Sequence, residues 1–294
     1  MLVQKEVSPA KLLFPIFAEK YFALTKEYLS PDQTKPVFSV FEESLTSYSF
    51  PDRFAFPFDY QPHPLSLLAV GKLQAHLSTQ RNWQHNFGLS GDEKDVIGKM
   101  FGVLVVRTQE GEIGYLSGFS GKLAGGNQHD EFVPPIFDGT AQGSFLNEGM
   151  LELTRIGQEI RVLEEPCNTT DAEQILVLKN ARKLYSVSLQ NKIFDQYHFL
   201  NRAGTTKSLR EIFEATSYKN PPAGAGECAA PKLLQYAFKH QMQPIAMAEF
   251  WWGLSPKSNF WKHGHFYPAC REKCEPILAH MLSGIEMEKR PLEV

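Results

Sequence analysis

Two apolar segments joined by a short polar turn constrain the fold of this chain most strongly. Residues 99–107 are apolar and rich in β-branched side chains, residues 108–111 have the composition of a turn, and residues 112–119 return with strand-forming residues. This arrangement is typical of a β-hairpin. A hairpin with one apolar face needs helices or further strands to cover it. We therefore expect a sheet with helices packed on it.

Helical periodicity on both sides of the hairpin supplies those helices. Leucines recur at helical spacing in residues 64–80, and Pro64 suits a first helical turn. The other predicted elements are helices at 146–163, 171–200, 229–240 and 275–282 and a third strand at 244–252. A further helix is predicted at 12–29. Helices that alternate with strands indicate an α/β or α+β fold.

The predicted elements divide the chain into three parts. Residues 1–60 form an N-terminal lead-in, residues 61–126 and 223–284 form the α/β core, and residues 140–220 form a helical insertion. Two consecutive helices within the insertion predict an αα-hairpin.

Charge is unevenly distributed along the chain. The net charge is −3, which argues against a protein that coats DNA through a basic surface. Between residues 179 and 219, however, eight basic residues face three acidic ones, a local net charge of +5. Such a segment could bind RNA, or it could simply be a solvated helix surface. The candidate RNA-binding residues are Lys179, Arg182, Lys183, Lys192, Arg202, Lys207 and Arg210.

The compartment follows from the apolar runs and the N-terminus. All apolar runs are shorter than the roughly 18 residues needed to cross a bilayer, so we expect no membrane partner. Pro15, Glu19 and Lys20 interrupt what would be the apolar part of a secretory signal. A cytoplasmic location is expected, where cysteines are thiols or metal ligands rather than disulfides.

Residues that suit a metal centre gather in the last quarter of the chain. Cys228 lies where a Gly-rich turn becomes a helix, and Cys270 and Cys274 lie at the start of the next helix. Thiolates and imidazoles are the ligands that zinc prefers, so His263 and His265 are further candidates. Two alternatives are open: buried structural thiols, or a Cys228 nucleophile paired with one of the histidines.

The order of elements resembles the zinc deaminase core. In that family a first helix carries His/Cys-x-Glu and a second carries Pro-Cys-x-x-Cys. The resemblance implies that Cys228, Cys270 and Cys274 are the metal ligands. This sequence departs from the pattern in two ways. Ala230 stands where the family has its catalytic Glu, which leaves Glu227 as a weak catalytic candidate, and the second motif has one extra residue.

A longer resemblance covers residues 50–284. The segments that carry it are Asp52-Arg-Phe-Ala-Phe-Pro-Phe-Asp-Tyr-Gln-Pro-His-Pro64, Trp83-Gln-His-Asn-Phe-Gly88, Gly98-Lys-Met-Phe-Gly-Val-Leu-Val-Val106, Gly114-Tyr-Leu-Ser-Gly-Phe-Ser-Gly-Lys-Leu-Ala-Gly125, Phe132-Val-Pro-Pro-Ile-Phe-Asp138, Ala223-Gly-Ala-Gly-Glu-Cys-Ala-Ala-Pro-Lys-Leu-Leu-Gln-Tyr236, Met247-Ala-Glu-Phe-Trp-Trp-Gly253 and His263-Gly-His-Phe-Tyr-Pro-Ala-Cys-Arg-Glu-Lys-Cys-Glu-Pro-Ile-Leu278. Together these segments resemble the N-terminal region of a subgroup of bacterial RluA-type pseudouridine synthases.

This resemblance implies an association with RNA modification. The Arg-Leu-Asp motif that carries the catalytic Asp of those synthases is absent from the sequence. The implied role is therefore recognition of ribosomal or transfer RNA, with a separate synthase domain as an expected partner. Three hypotheses follow: an RNA-binding accessory protein, a zinc-dependent deaminase-like hydrolase, and a structural domain without activity.

Overall fold

Strand-forming residues from three parts of the chain build one antiparallel sheet in the computed structural model. The structure describes residues 37–55, 57–58, 61–91, 94–139, 144–165 and 172–288. The helix predicted at 12–29 lies outside these residues. The described elements, in chain order, are β1 (Ser39–Val40), α1 (Pro64–Thr79), β2 (Lys99–Arg107), β3 (Ile113–Phe119), α2 (Phe145–Leu163), α3 (Ala172–Phe194), β4 (His198–Leu200), β5 (Thr206–Ser208), α4 (Leu209–Glu214), α5 (Ala229–Lys239), β6 (Gln243–Trp252) and α6 (Arg271–Met281).

The predicted hairpin forms the centre of the sheet. The strand order is β1-β3-β2-β6, and each neighbouring pair is antiparallel. Strand β2 therefore lies between its hairpin partner and the late strand β6. A second, two-stranded sheet consists of β4 and β5. The prediction of a fold that mixes helices with a sheet is confirmed.

Alternating side chains of β2 pack against helices on opposite faces of the sheet. Phe101, Val103 and Val105 belong to an apolar cluster that includes residues of α1. Leu104 and Val106 belong to a second cluster that includes residues of α5 and α6. The sheet is thus covered on both faces, with α1 on one side and the paired helices α5 and α6 on the other.

Glycines at the centre of the sheet allow α5 to lie very close to it. Gly102 of β2 is paired in register with Gly118 of β3. A Cβ atom built on Gly102 would lie 3.1 Å from the Cβ of Ala229 and 3.1 Å from Cδ1 of Leu233. Because Gly102 has no side chain, the first turn of α5 can pack directly on the sheet at this point. That turn directly follows Cys228.

The two helices predicted as an αα-hairpin pack against each other. Ser144 is the N-cap of α2, and its hydroxyl accepts a hydrogen bond from the amide of Asn147. Leu189 of α3 packs directly over Gly149 of α2, where an added Cβ would lie 2.6 Å from its methyl carbons. The division of the chain at 61–126, 140–220 and 223–284 stays a prediction.

The prediction of one helix over residues 171–200 is wrong at its C-terminal end. Helix α3 ends at Phe194 and is followed by strand β4. Tyr197 and Phe199 are buried while His198 between them is exposed, which is the alternation of a strand rather than of a helix. The apolar residues fitted both periods, and the twofold alternation decided the structure.

The last helix begins earlier than the prediction of residues 275–282. Helix α6 begins at Arg271, with Cys270 as its N-cap. Pro276 therefore lies inside the helix rather than in its first turn.

Within the part of the chain that the structure describes, we find no helix that is long and apolar enough to cross a membrane.

Candidate metal centre

Three cysteine side chains meet where α5 and α6 begin. Cys228 is the N-cap of α5 and Cys270 is the N-cap of α6. Cys274 lies four residues further along α6, so it shares a helix face with Cys270. The sulfur atoms of Cys228 and Cys270 are 4.0 Å apart, and those of Cys270 and Cys274 are 3.3 Å apart. All three lie within 4.8 Å of one another and could hold a metal ion.

The chemistry of this donor set fits a thiophilic metal such as zinc. Three thiolates that each lie about 2.3 Å from one zinc ion are roughly 3.8 Å apart, close to the observed sulfur separations. Cys274 is 1 % exposed and Cys270 is exposed, so the group spans from the interior to the surface. The Cys-x-x-x-Cys spacing brings the sulfurs of Cys270 and Cys274 to 3.3 Å, because residues four apart lie on the same side of a helix.

The thiols differ strongly in acidity because they share hydrogen bonds. The pKa of Cys270 is lowered to about 2, because the thiols of Cys228 and Cys274 both interact with its sulfur and backbone amides in the first turn of α6 add to the effect. The pKa of Cys228 is raised mainly by its interaction with Cys270, and the pKa of Cys274 is raised by its interactions with both other thiols; burial raises both. The cluster thus holds a thiolate at neutral pH, and a cation would replace the protons on the other two sulfurs.

The predicted histidine ligands are not part of this group. Within the described residues, the group of ligand atoms that lie within 4.8 Å of one another consists of the three sulfurs. Nδ1 of His263 accepts a hydrogen bond of 3.0 Å from the amide of Gly253, and its ring packs against Trp252. The side chain of His265 is exposed, and its carbonyl accepts from the amide of Trp251. Backbone hydrogen bonds join Gly264 and His265 to Trp251, so this segment lies beside the end of β6.

Glu249 is a functional candidate that the sequence analysis missed. It lies in the middle of β6 and is 4 % exposed, on the side of the sheet that faces α5. Its Oε1 accepts a hydrogen bond of 3.3 Å from the amide of Ala230. Burial, with a smaller contribution from the negative charge of Cys270, raises the pKa of Glu249 to about 8, and the hydrogen bond from the Ala230 amide acts in the opposite direction. A charged residue within an otherwise apolar strand was the sequence signal for this site.

Glu227, the weak catalytic candidate, has a different environment. Its side chain is exposed, and Oε1 accepts a hydrogen bond of 3.3 Å from the hydroxyl of Tyr197. Its carbonyl accepts from the amide of Gly121, which fixes the turn that leads into α5. Burial and the neighbouring Glu227 carboxylate raise the pKa of Tyr197, so this phenol stays a hydrogen-bond donor at neutral pH.

Lys232, in the first turns of α5, is a second residue that the sequence analysis missed. It is 3 % exposed, and its Nζ lies 4.6 Å from the centre of the Phe119 ring. Burial lowers its pKa to about 8, while Glu227 and Cys228 act in the opposite direction. A lysine on a helix that is apolar on nearly every side was the available sequence signal.

Some of the predicted RNA-binding residues already have partners within the protein. Nζ of Lys179 is 2.6 Å from Glu164, and Nε of Arg210 is 2.6 Å from Asp195. Nε of Arg182 donates a hydrogen bond to the carbonyl of residue 153 in α2. These three contacts tie the hairpin and its neighbours together.

The other predicted RNA-binding residues are exposed. Among the described residues none of them has a carboxylate within 4.0 Å. They are Lys183, Lys192, Arg202 and Lys207. These four side chains are the part of the basic segment that could contact an acidic partner.

A scan against protein-family models, a search of curated proteins and a search of solved structures each find no match to this chain.

Proposed function

We propose that this protein is a zinc-dependent hydrolase of the deaminase type, in which Cys228, Cys270 and Cys274 hold the metal. The observation that carries the proposal is the buried carboxyl group of Glu249 beside the three thiols. A structural zinc site is closed by four protein ligands, whereas a catalytic site has three and leaves a position for water or substrate. The described thiols provide three.

The order of elements supports this proposal. Helix α1 precedes the β2–β3 hairpin, α5 begins at Cys228, β6 follows, and α6 begins at Cys270. That is the order of the deaminase core that the sequence resembles. The family's catalytic Glu is replaced by Ala230, but Glu249 places its carboxyl group at the amide of that same residue. We propose that Glu249 supplies from the strand the group that the helix lacks.

The chemistry divides between the metal and Glu249. Zinc with three protein ligands acts as a Lewis acid and makes water a competent nucleophile near neutral pH. Glu249 holds a proton at neutral pH because of its burial, and its Oε1 is oriented by the Ala230 amide. Hydrolytic deamination consumes water, replaces a carbon–nitrogen bond by a carbonyl group and releases ammonia. Glu249 would first give its proton to the substrate and, as the resulting carboxylate, would then take protons from the attacking water and pass them to the departing nitrogen.

The proposal is tested by measuring zinc content and ammonia release on the same protein samples. Glu249→Gln should keep its zinc and lose ammonia release from a panel of nucleosides and nucleobases by at least a hundredfold, because an amide cannot carry the proton. Glu214→Gln, which changes an exposed carboxylate outside this site, is the matched control and should keep both. Full activity in Glu249→Gln, or no ammonia release by zinc-loaded wild type, would contradict the assignment.

A second candidate function is RNA recognition as an accessory of a pseudouridine synthase. The exposed side chains of Lys183, Lys192, Arg202 and Lys207 favour it, together with the sequence resemblance. Binding to a structured transfer or ribosomal RNA should weaken steeply with salt. Reversing these four charges to Glu should abolish binding, whereas reversing Lys239 and Lys257, which are also exposed, should not. Equal binding by both variants would rule the candidate out.

A further inference from the structure

The ammonium group of Lys232 is buried without a partner of opposite charge in contact. Among the residues that the structure describes, no carboxylate lies within 4.0 Å of its Nζ and no acceptor forms a hydrogen bond with it. Its Nζ lies over the face of the Phe119 ring, 4.6 Å from the ring centre. A ring face compensates only a fraction of the hydration that a buried ammonium loses. A chain keeps such a lysine at a cost to its stability.

A second lysine adds to the positive charge at this place. Lys99, at the start of β2, is partly buried, and burial lowers its pKa. Lys99 and Lys232 both lie in the electrostatic field of one carboxylate, that of Glu227. Glu227 can balance one of these two cations. One positive charge is therefore in excess among the three groups.

A cavity of about 90 Å³ opens beside Lys232. Its polar wall includes Lys122 and Glu227, and its apolar wall includes Phe137 and Tyr197. The hydroxyl of Tyr197 donates to Glu227 and holds that carboxylate against the wall. The space suits one small group rather than a whole nucleotide.

The other nearby acid is already held by amides. Asp138 accepts hydrogen bonds of 3.0 Å from the side chain of Asn127 and 2.6 Å from that of Gln128. Asp138 is therefore oriented toward this loop. Lys99 and Lys122 are more exposed than Lys232, so Lys232 is the cation of this part of the structure that burial penalises most.

We infer that this cavity binds a small oxyanion, the phosphate or carboxylate group of a ligand, and that Lys232 is its direct partner. The positive charges of Lys99 and Lys122 add to the electrostatic attraction of the oxyanion. If the hydrolase function proposed above is correct, the oxyanion is an acidic group of the substrate. The inference rests on Lys232 and the cavity, so it does not depend on metal binding.

Calorimetric titration of the full chain with inorganic phosphate and with acetate, at constant ionic strength, tests the inference. Wild type should bind at least one of them saturably, and the preferred anion identifies the ligand as a phosphate ester or a carboxylate. Lys232→Met should lose at least tenfold in affinity, and so should Lys232→Gln, which keeps a polar side chain without the charge. Lys239→Met, on the exposed end of the same helix, should bind like wild type.

Two results would overturn the inference: wild type that binds neither anion saturably, or Lys232→Met and Lys232→Gln that bind like wild type. Zinc content measured on the same samples separates the two proposals. Anion binding by a chain that takes up no zinc would refute the metal-dependent function and leave the oxyanion site standing.

Discussion

Two ionisable side chains, Glu249 and Lys232, are buried in the apolar interior next to the cysteine cluster. Each is almost completely buried on the α5 side of the sheet, and each has a pKa shifted toward its neutral form by burial. Burial of this kind lowers the stability of the folded state. Residues that are retained in spite of such a cost are candidates for function rather than for structure.

Replacing Lys232 by Met should therefore stabilise the protein. In the native state Lys232 loses its proton near pH 8, against 10.5 for an unperturbed lysine. Below pH 8 Lys232 is protonated in both the folded and the unfolded protein, so the free-energy cost of burying its charge is fully present. As the pH rises from 8 to 10.5 the folded protein carries a neutral Lys232, and that cost disappears. At pH 7 without anion, Lys232→Met should raise the free energy of unfolding by up to about 3 kcal/mol, and the gain should shrink toward pH 10.

Urea denaturation at pH 7 and pH 9.5 measures this gain. The groups that act on Lys232 are Lys99, Glu227 and Cys228, and none of them is altered by the substitution. Lys239→Met removes an exposed lysine of the same helix and should change the free energy of unfolding by less than about 0.5 kcal/mol at both pH values. A Lys232→Met variant that is less stable than wild type at pH 7 would show that the ammonium group is compensated.

The sequence predicted part of the site at this scale. Gly and Pro residues around Cys228 and Cys270 marked the two helix starts, which is why the three thiols could be predicted to meet. His263 and His265 could not be excluded as ligands, because the pairing of their segment with Trp251 of β6 is a tertiary contact. Glu249 was overlooked because its position in β6 relative to α5 depends on strand pairing, which a single sequence does not reveal.

At the scale of elements, the paired glycines under α5 set the position of Cys228. Gly102→Ala should push the first turn of α5 away from the sheet, because the added Cβ would lie 3.1 Å from Ala229 and Leu233. We expect a loss of about 1–3 kcal/mol in stability. We also expect weaker zinc binding, because Cys228 adjoins Ala229.

A matched glycine in helix α1 provides the control for this variant. Nothing lies within 4 Å of a Cβ added to Gly71, so Gly71→Ala should stabilise the helix by roughly 0.5–1 kcal/mol and leave zinc affinity unchanged. Competition with a chromophoric chelator measures the affinities. Equal zinc affinity in Gly102→Ala and wild type would contradict the link between sheet packing and the thiols.

The αα-hairpin should depend on one contact more than on its many exposed apolar residues. Leu189 is 6 % exposed and fills the space over Gly149, so Leu189→Ala should cost about 2–4 kcal/mol. Leu184 in the same helix is 72 % exposed, and Leu184→Ala should change stability by less than about 0.5 kcal/mol. Urea denaturation distinguishes these outcomes, and similar losses in both variants would place the hairpin contact elsewhere.

Elements with one strong period were predictable, and elements with mixed signals were not. Strands β2, β3 and β6 and helices α1, α2 and α5 lie within a few residues of their predicted bounds. Strands β4 and β5 are three residues each, and the polar sequence Thr206-Lys-Ser208 has no strand signal of its own. They form because they pair with each other and because β4 packs on α5 and α6, which no local pattern encodes.

At the scale of the whole molecule, the sheet holds two chemistries side by side. Helices α5 and α6 bring the three thiols together at their N-terminal ends, and β6 adds the buried carboxyl group from below. The cavity beside Lys232 lies at the same end of α5. A metal held by the thiols and an oxyanion held in this cavity would lie at the same end of α5, which is what the two proposals together require.

The claim that three thiols form an open metal centre is tested most directly by loading the protein with zinc and then with cobalt(II). The near-ultraviolet absorption of cobalt(II) that is bound by thiolates grows with the number of these ligands. We predict one zinc per chain and a cobalt spectrum of three thiolates. Each of Cys228→Ser, Cys270→Ser and Cys274→Ser should lose a third of that intensity or the metal altogether, whereas Cys167→Ser should not. A chain that binds neither metal, or a Cys167→Ser variant that loses the metal, would contradict the account.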